Sequence, residues 1–563
     1  MTTRSPVKTT ADRPWLKTYA ELGLSWDHTP AVPKKSLADY IEEHVAAFPE
    51  HTALVYLGQT ISYRTLDEQA NRLAHVLKAQ GCGRGDVLGI HLPNTPQYIL
   101  GFVAAAKLGM VVTSISALLT PPEIAYQAND AKVKVLLSLD LLFNAAVKPV
   151  LGQIPSLKLA LVSSATELLP NMPAAQIANA EESGVKVLGL AAALAGASGE
   201  RLHTPADPDA VIFLQYTGGT TGKPKGAQLT LRNIIGNNLQ VDIFNRYEIG
   251  KEVFASAFPM FHVGGTAITF NALRCGATYI VIPDPRNVDH FVAEMKRFNP
   301  TALMAVPALY QMMLANADFR ALDFSRLKMA ITAAAPFAVE ELKKVEAVIG
   351  AGKMSEVYGM TETGPVQTCN PPQAYRLGYV GFPIPGTELR LVNPENPLEQ
   401  VPLGEPGEIM VSGPQVMKGY FGDVGADALR EIDGLRWMMT GDIAVMDEDG
   451  YLRICDRSKD MLIVGGYKVF SVEVEGKIAS LPFVAMSAMV GRPDVDRPGN
   501  EVAQLYVQLK PGVADAEDAL REQVTTFCRA NMAPYKVPKE IFFIPAIPLT
   551  SVGKIDKKAL RQK

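Results

Sequence analysis

Short apolar segments alternate with segments of helical periodicity over most of this 563-residue chain. Residues 62–80 place apolar side chains on one helical face and begin with a serine suited to N-capping, and residues 96–107 form a second predicted helix. Residues 86–92, 133–137 and 158–162 have the apolar character of strands. Strands separated by helices favour parallel pairing, so the chain is predicted to fold as α/β layers.

The chain is too long for one ordinary core, so more than one domain is expected. Residues 391–455 contain alternating apolar positions and frequent glycine, which predicts a β-rich region. Beyond it the chain is more charged, with predicted helices at 472–478 and 516–530. We therefore place a domain boundary at 457–460 and expect the basic tail, 557–563, to fray.

Composition excludes several classes of function. Net charge is −4 with no long basic block, so no nucleic-acid partner is expected. The five cysteines are scattered without a CxxC pair, which is typical of reduced thiols in a cytoplasmic protein. The most apolar run, 100–119, contains Lys107 and predicts a core helix followed by a strand instead of a transmembrane segment. The polar N-terminus lacks the apolar stretch of a signal peptide, while peripheral membrane contact stays open.

The most informative segment is YTGGTTGKPKG, residues 216–226, which follows a predicted buried strand at 210–214. Its glycines leave backbone N–H groups uncovered, and its hydroxyl and lysine side chains add donors, so the loop suits phosphate oxygens. It is not a Walker A loop, because Pro224 follows Lys223 and no glycine lies five residues before Gly222. A glycine-rich surface turn is the alternative interpretation.

An ordered series of motifs follows, and with it the chain resembles the adenylate-forming superfamily of acyl-CoA synthetases, luciferases and peptide-synthetase adenylation domains. The series spans roughly residues 35–560 and consists of YTGGTTGKPKGA (216–227), FHVGG (261–265), TAAAPF (332–337), YGMTET (358–363), TGD (440–442), DRSKDMLIVGGYKV (456–469) and SVGKIDKKAL (551–560). FLQYTGGTTG together with DRSKDM is most similar to fatty acyl-CoA synthetases. The resemblance implies a large N-terminal domain of layered α/β subdomains plus a β-rich one (1–456), a hinge (457–460) and a small mobile α+β domain (461–563).

The resemblance also implies roles for individual residues in binding ATP. The β- and γ-phosphates would lie against Thr217, Gly218, Gly219, Thr220, Thr221 and Lys225. Glu362 would bind Mg²⁺, a hard cation that prefers carboxylate oxygen, and Thr361 would reach the α-phosphate. The adenosine would contact Tyr358 at adenine, Asp442 at the ribose hydroxyls, and Arg457 in support. Ala334 and Ala335 replace the commoner glycine-rich sequence, and their methyl groups would alter adenine packing or narrow the acid pocket.

The catalytic residue that the resemblance implies is Lys554, which would stabilise charge in the adenylation transition state. Rotation about the hinge at Lys459 would then replace it with the segment around Gly465 and Gly466, whose backbone suits the pantetheine arm of coenzyme A. His262 would lie next to the acyl pocket. The alternative interpretations are a solvated lysine, a glycine turn and a core histidine, respectively.

The resulting prediction is an AMP-forming acid–thiol ligase that couples a medium- or long-chain fatty acid to coenzyme A. One alternative keeps the same chemistry but changes the acid to an aryl or arylpropenoic acid, or changes the acceptor to a carrier protein. Another is a light-emitting oxygenase, which shares the scaffold. A catalytically silent nucleotide- or acyl-binding protein is disfavoured because Glu362, Asp442 and Lys554 are all present. A P-loop ATPase is disfavoured by Pro224. Similar proteins are commonly homodimers.

Overall fold

The computed structural model describes residues 8–27, 30–169, 172, 177–217, 223–423, 425, 428–495, 497, 499–549 and 555–562. The helices are α1 (Leu16–Glu21), α2 (Leu37–Ala47), α3 (Tyr63–Ala79), α4 (Pro96–Leu108), α5 (Pro121–Asp130), α6 (Asp140–Leu142), α7 (Leu190–Ala195), α8 (Leu231–Asn245), α9 (Val263–Arg274), α10 (Val288–Phe298), α11 (Pro307–Ala315), α12 (Ala317–Arg320), α13 (Val339–Ile349), α14 (Ser471–Ile478), α15 (Glu517–Asn531) and α16 (Lys557–Arg561).

The strands up to the predicted β-rich region are β1 (Thr52–Tyr56), β2 (Gln59–Ser62), β3 (Val87–His91), β4 (Val111–Ile115), β5 (Val133–Leu139), β6 (Leu159–Ser163), β7 (Ala180–Glu182), β8 (Val185–Gly189), β9 (Val211–Thr217), β10 (Lys225–Thr230), β11 (Val253–Ser256), β12 (Thr278–Val281), β13 (Ala302–Ala305), β14 (Met329–Thr332), β15 (Met354–Gly359), β16 (Val366–Asn370) and β17 (Phe382–Pro383). The later strands are β18 (Glu388–Asn393), β19 (Asn396–Gln400), β20 (Gly407–Ser412), β21 (Gly419–Tyr420), β22 (Leu429–Ile432), β23 (Leu435–Met446), β24 (Leu452–Arg457), β25 (Leu462–Val464), β26 (Tyr467–Val469), β27 (Val484–Pro493), β28 (Glu501–Leu509) and β29 (Glu540–Phe543).

Two large sheets form the N-terminal part of the described chain. Sheet A has the order β17-β16-β15-β14-β13-β11-β12-β1-β2, and sheet B has the order β21-β10-β9-β4-β3-β5-β6-β8-β7. The neighbouring strands from β15 to β1 in sheet A pair in parallel, and so do those from β9 to β8 in sheet B. The predicted parallel α/β layers are therefore confirmed.

The largest apolar core lies between these sheets and contains helices from the predicted α/β units. Phe102 of α4 packs edge-to-face against Phe213 of β9 and Phe270 of α9, with ring centroids 5.2 and 5.6 Å away. Each buried aromatic ring of this kind stabilises the fold by roughly 1.5–3 kcal/mol. Residues 100–119 form the predicted core helix and strand, since α4 ends at Leu108, Gly109 caps it with φ +65°, and β4 follows.

A third sheet, sheet C, contains β19-β18-β20-β23-β22 with β24 beside β23, as the alternating pattern predicts. After it come the β25–β26 hairpin and the sheet β27-β28-β29. Helices α14 and α15 pack on this last sheet, where Val474 of α14 and Val524 of α15 share an apolar cluster with Leu505 of β28. Both helices lie within one residue of their predicted starts and ends.

One terminal segment differs from expectation, and the packing of the other was not predicted. The tail does not fray over its described part, because Leu560 of α16 is fully buried against Ala488, Val490 and Tyr506. The N-terminal segment packs on the β-rich region, where Trp15 is fully buried. Tyr19 donates a hydrogen bond to the Pro383 carbonyl at 2.8 Å. Neither contact has a local sequence signal, since the partners lie far away along the chain.

Within the described ranges, no helix has the length and apolar character that crossing a bilayer requires.

Candidate active site

The predicted phosphate loop joins two adjacent antiparallel strands. β9 ends at Thr217, β10 begins at Lys225, and these two residues are register partners. Gly218, Gly219, Thr220 and Thr221 lie outside the described residues, so their predicted roles stay predictions.

Helix α5 holds both ends of this loop. The Tyr216 hydroxyl donates to the Asp130 carboxylate, and the Tyr126 hydroxyl donates to the Pro224 carbonyl at 3.0 Å. Burial and the neighbouring Asp130 raise the pKa of Tyr216, which keeps its hydroxyl a donor. The Lys223 ammonium lies 5.3 Å from the centre of the Tyr126 ring. Two tyrosines therefore fix where the loop leaves and rejoins the sheet.

Glu362 lies in the short 3₁₀ turn Thr361–Thr363, directly after β15. Thr361 and Glu362 are both buried, at 9% and 5% exposure, so the carboxylate needs polar partners. Tyr420 of β21 donates to Glu362 Oε1 at 2.6 Å, and the Lys225 ammonium lies 5.3 Å from the Tyr420 ring centre. Glu362 and the phosphate-loop lysine are thus linked through Tyr420.

Tyr358, Asp442 and Arg457 form the second polar group. The Tyr358 hydroxyl donates to Asp442 Oδ2 at 2.6 Å, and Arg457 Nε lies 3.3 Å from Asp442 Oδ1. Asp442 on β23 and Arg457 on β24 are register partners, so the sheet itself sets this pair. Burial and the Asp442 charge raise the pKa of Tyr358 well above its usual value. The structure brings all three predicted nucleotide residues together.

His262 is the N-cap of α9, and its Nδ1 accepts a hydrogen bond from the Gly264 N–H at 3.2 Å. The preceding carbonyl, of Phe261, accepts from the Gln215 side chain on β9. The start of α9 is therefore tied to the strand that leads into the phosphate loop. The contact assigns His262 a capping role and places it beside the predicted site.

Ala334 has φ +72°, a left-handed conformation that an L-residue with a Cβ adopts at a cost of about 1 kcal/mol. It follows β14, and like Met360 and Tyr420 it packs against the core between the sheets. Ala335, next to it, is exposed. Ala334 of the alanine-rich sequence thus occupies a backbone position that favours glycine.

The predicted hinge is crowded with charges. Burial and the positive charge of Arg457 lower the pKa of Lys459 to about 8. The Lys459 carbonyl accepts a hydrogen bond from Arg561, whose guanidinium also pairs with Asp460 at 2.6 Å. The C-terminal helix α16 therefore contacts the hinge directly.

Gly465 and Gly466 form the two-residue turn between β25 and β26, with φ of +59° and +82°. Positive φ at both central positions is the requirement of the tight hairpin turn that matches strand twist. The Gly466 N–H donates to Asn500 Oδ1 at 3.0 Å. The described contacts of the turn lie within the C-terminal region, so the structure does not bring these glycines to Tyr358 and Asp442.

Lys554 lies outside the described residues, as do 550–553. The segments on either side meet, since Leu549 and Ile555 form an isolated bridge and the Asp556 N–H donates to the Pro548 carbonyl at 2.8 Å.

Comparison with known proteins decides the family. A family model described as AMP-binding enzyme matches residues 41–421, and one described as AMP-binding enzyme C-terminal domain matches residues 473–554. The chain belongs to the AMP-binding enzyme family.

Relatives in this family cover nearly the whole chain. A protein named long-chain-fatty-acid–CoA ligase from Escherichia coli O6:H1 is 33% identical over 94% of both chains, and one of the same name from Bacillus subtilis is 32% identical over 98% of both. Among solved structures, the anthranilate CoA ligase AuaEII in complex with anthranoyl-AMP has a TM-score of 0.82 at 26% identity, covering 94% of this chain and 98% of its own. ATP-bound MatB from Rhodopseudomonas palustris has a TM-score of 0.79 at 28% identity, covering 93% and 98%. The predicted superfamily, the layered fold and an acid–thiol ligase of the acyl-CoA synthetase type are confirmed.

The single carboxylate ligand at Glu362 fits a magnesium ion that is bound mainly through the phosphates of the substrate. Mg²⁺ is usually held by one or two carboxylates together with phosphate oxygens and water. Glu362 supplies one buried carboxylate on the side of the phosphate-loop lysine. Among the described residues, a group of three candidate ligands occurs instead at Asp39, Glu42 and His203, where Glu42 is already paired with Lys107 and Arg201.

Three residues of this AMP-binding enzyme were missed by sequence reasoning: Tyr420, Tyr126 and Asp130. Each reaches the site through tertiary packing, from β21 or α5, and no motif marks it. The order of β9, loop and β10 indicated where such partners must converge, but not which residues they are.

Proposed function

We propose that this chain is an AMP-forming acyl-CoA synthetase whose acid is a long-chain fatty acid. The observation that carries the proposal is the Tyr358–Asp442–Arg457 group, whose tyrosine lies on β15 just before the turn that contains the buried Glu362. A buried carboxylate that faces an arginine and a tyrosine suits the two hydroxyls of a ribose. The names of the Escherichia coli and Bacillus subtilis relatives support the acid.

In the first half-reaction, a carboxylate oxygen of the acid attacks the α-phosphorus of ATP. An O–P bond forms, the bond to the bridging oxygen of the β-phosphate breaks, and pyrophosphate leaves. Thr217, Lys225 and residues 218–221 hold the phosphates, and Thr361 reaches the α-phosphate. Glu362 would hold Mg²⁺, which would supply positive charge to neutralise the phosphates when bound. Lys554 stabilises the charge that develops at the reacting carboxylate and phosphorus.

In the second half-reaction, the sulfur of coenzyme A attacks the acyl carbon after losing its proton. A C–S bond forms, the acyl C–O bond breaks, and AMP leaves. We propose that the hinge at 457–460 rotates the domain 461–563 between these steps. Gly465 and Gly466 suit the pantetheine arm because the space beside their backbone is open: a Cβ added at either position meets no atom of the described residues within 4 Å.

The test is acid-dependent pyrophosphate release from ATP and Mg²⁺, with a panel of acetate, octanoate, palmitate, benzoate and cinnamate, each with and without coenzyme A. The proposal expects release with palmitate, and palmitoyl-CoA only when coenzyme A is present. Release confined to benzoate or cinnamate would replace the fatty acid with an aryl acid. Release without any thioester would indicate a carrier-protein acceptor, and no release with any acid would contradict the proposal.

We further propose a cytoplasmic location, supported by the five cysteines, which are all free and buried. A homodimer and peripheral membrane contact remain predictions for sedimentation and vesicle-binding measurements.

A further inference from the structure

A largely buried ion pair joins the start of α16 to α14. Lys557 Nζ lies 2.8 Å from Glu475 Oε1, and the two side chains are 11% and 14% exposed. The same ammonium donates a hydrogen bond to the hydroxyl of Ser471, the first residue of α14. Lys558, the next residue, is exposed, so the contact is specific to one lysine of the basic tail.

Ser471 passes this contact on to the β-rich region. Its hydroxyl and its backbone N–H both donate to Asp456 Oδ2, the former at 2.6 Å. Asp456 is 2% exposed and lies on β24, and the next residue, Arg457, pairs with Asp442. Strand β24 therefore contributes Arg457 to the Tyr358–Asp442–Arg457 group and Asp456 to the contact with Ser471 and Lys557.

Lys557 also lies close in sequence to the place where the chain segments before and after residues 550–554 contact each other. Leu549 bridges to Ile555, and the Asp556 N–H donates to the Pro548 carbonyl at 2.8 Å. Asp556 in turn caps α16 by accepting from the Ala559 N–H at 3.1 Å. The described chain downstream of Lys554 is thus held by Asp556 and then by Lys557.

Stability alone is a poor explanation for this network. A buried ion pair contributes little net stability compared with apolar residues of the same volume, because both charges lose their hydration. What the pair and its hydrogen bonds do supply is a defined geometry, since each charged group is buried with a directed partner.

We propose that Asp456, Ser471, Lys557 and Glu475 are positioning residues that align the segment containing Lys554 with the strand containing Arg457 for the adenylation half-reaction. They do not touch the reacting atoms. The inference rests on the proposed function, because it assigns the network to one of its two half-reactions.

The test separates the two half-reactions in four variants: Lys557→Met, Lys557→Arg, Ser471→Ala and Glu475→Gln. Pyrophosphate release with ATP and acid measures adenylation, and thioester formation from preformed acyl-adenylate measures thiolation. Lys558→Met is the matched control. We expect Lys557→Met, Ser471→Ala and Glu475→Gln to lower the kcat of adenylation about tenfold or more, because small misplacements cost large factors in rate. Thiolation stays within about twofold on the same argument, and Lys557→Arg retains more adenylation than Lys557→Met because it keeps the charge.

Equal losses in both half-reactions, or no loss of adenylation, would overturn the inference. Ser471→Ala keeps the ion pair, so it provides the test if Lys557→Met does not fold. Wild-type protein and Lys558→Met report on the proposed function separately. Absence of pyrophosphate release from both would overturn the proposed function and the network's role together, whereas release from both with unchanged variants would overturn the network alone.

Discussion

The hydroxyl of Tyr358 lies 2.6 Å from Asp442 Oδ2, although 84 residues separate them in the sequence. Sheet A supplies the tyrosine and sheet C the aspartate, so the group proposed to bind the adenosine forms only where these sheets meet. Arg457 completes it from β24.

Replacing Asp442 with alanine is expected to raise the KM for ATP by about 10- to 100-fold, because hydrogen bonds to charged groups contribute about 1.5–3 kcal/mol. Tyr358→Phe keeps the ring and loses one donor, so its effect should be smaller, about 2- to 10-fold. Glu395→Gln, in an exposed turn, is the control. An unchanged KM in Asp442→Ala would remove the ribose assignment.

Glu362→Gln should raise the Mg²⁺ concentration that gives half-maximal activity, because a neutral amide is a weaker ligand for a hard cation. We expect a loss of kcat/KM of about 100-fold or more, whereas Tyr420→Phe, which removes one neutral donor from the carboxylate, costs about tenfold at most. Magnesium titrations of both variants measure this. The same Mg²⁺ dependence in Glu362→Gln and wild type would contradict the metal assignment.

Tyr216 and Asp130 are expected to affect ATP binding without touching ATP. Tyr216→Phe and Asp130→Asn loosen one end of the phosphate loop, and Tyr126→Phe loosens the other. Each should raise the KM for ATP by about 3- to 10-fold, the value of one hydrogen bond, while the KM for the acid stays constant. If the acid and ATP were affected equally, the tyrosines would be general stabilisers of the sheet.

Glu356 predicts a pH dependence of stability. Its carboxyl is 8% exposed on β15, and burial raises its pKa to about 7, against the opposing effect of the Tyr375 hydroxyl bond. A raised carboxyl pKa means that the native state pays for ionisation, so the destabilisation is absent below pH 4.5 and grows until about pH 7.

Glu356→Gln should therefore match wild type near pH 4.5 and be more stable at pH 8, by an amount on the order of 2 kcal/mol. Thermal unfolding at both pH values measures the difference. A constant difference across this range would show that the carboxyl pKa of Glu356 is the same in the native and unfolded states, which would contradict the prediction.

Local signals in the sequence predicted most of the fold. Helix α3 begins where Ser62 caps it, with the Ser62 hydroxyl accepting from the Thr65 N–H. Strand β9 occupies the apolar run before the phosphate loop, which indicates that periodicity and capping are sufficient where partners are near in sequence. Trp15 and Leu560 were missed because the surfaces that bury them come from distant parts of the chain.

The site residues also fall into those with a sequence signal and those that reach the site only through the tertiary fold. The motif series predicted Tyr358, Glu362, Asp442 and Arg457, and the structure assembles them in two linked groups. Tyr420 was not predictable, since its role comes from the register of β21 against β10. His262 differs from Tyr420, because its capping of α9 is a local contact. Apart from the FHVGG motif, however, the sequence around it does not indicate a chemical role.

The most direct measurement of the central claim is the product stoichiometry with ATP, palmitate and coenzyme A, followed by mass spectrometry. We expect AMP, pyrophosphate and palmitoyl-CoA in equal amounts, with palmitoyl-adenylate accumulating when coenzyme A is omitted. Formation of ADP and phosphate, or AMP formation that does not depend on any acid, would contradict it.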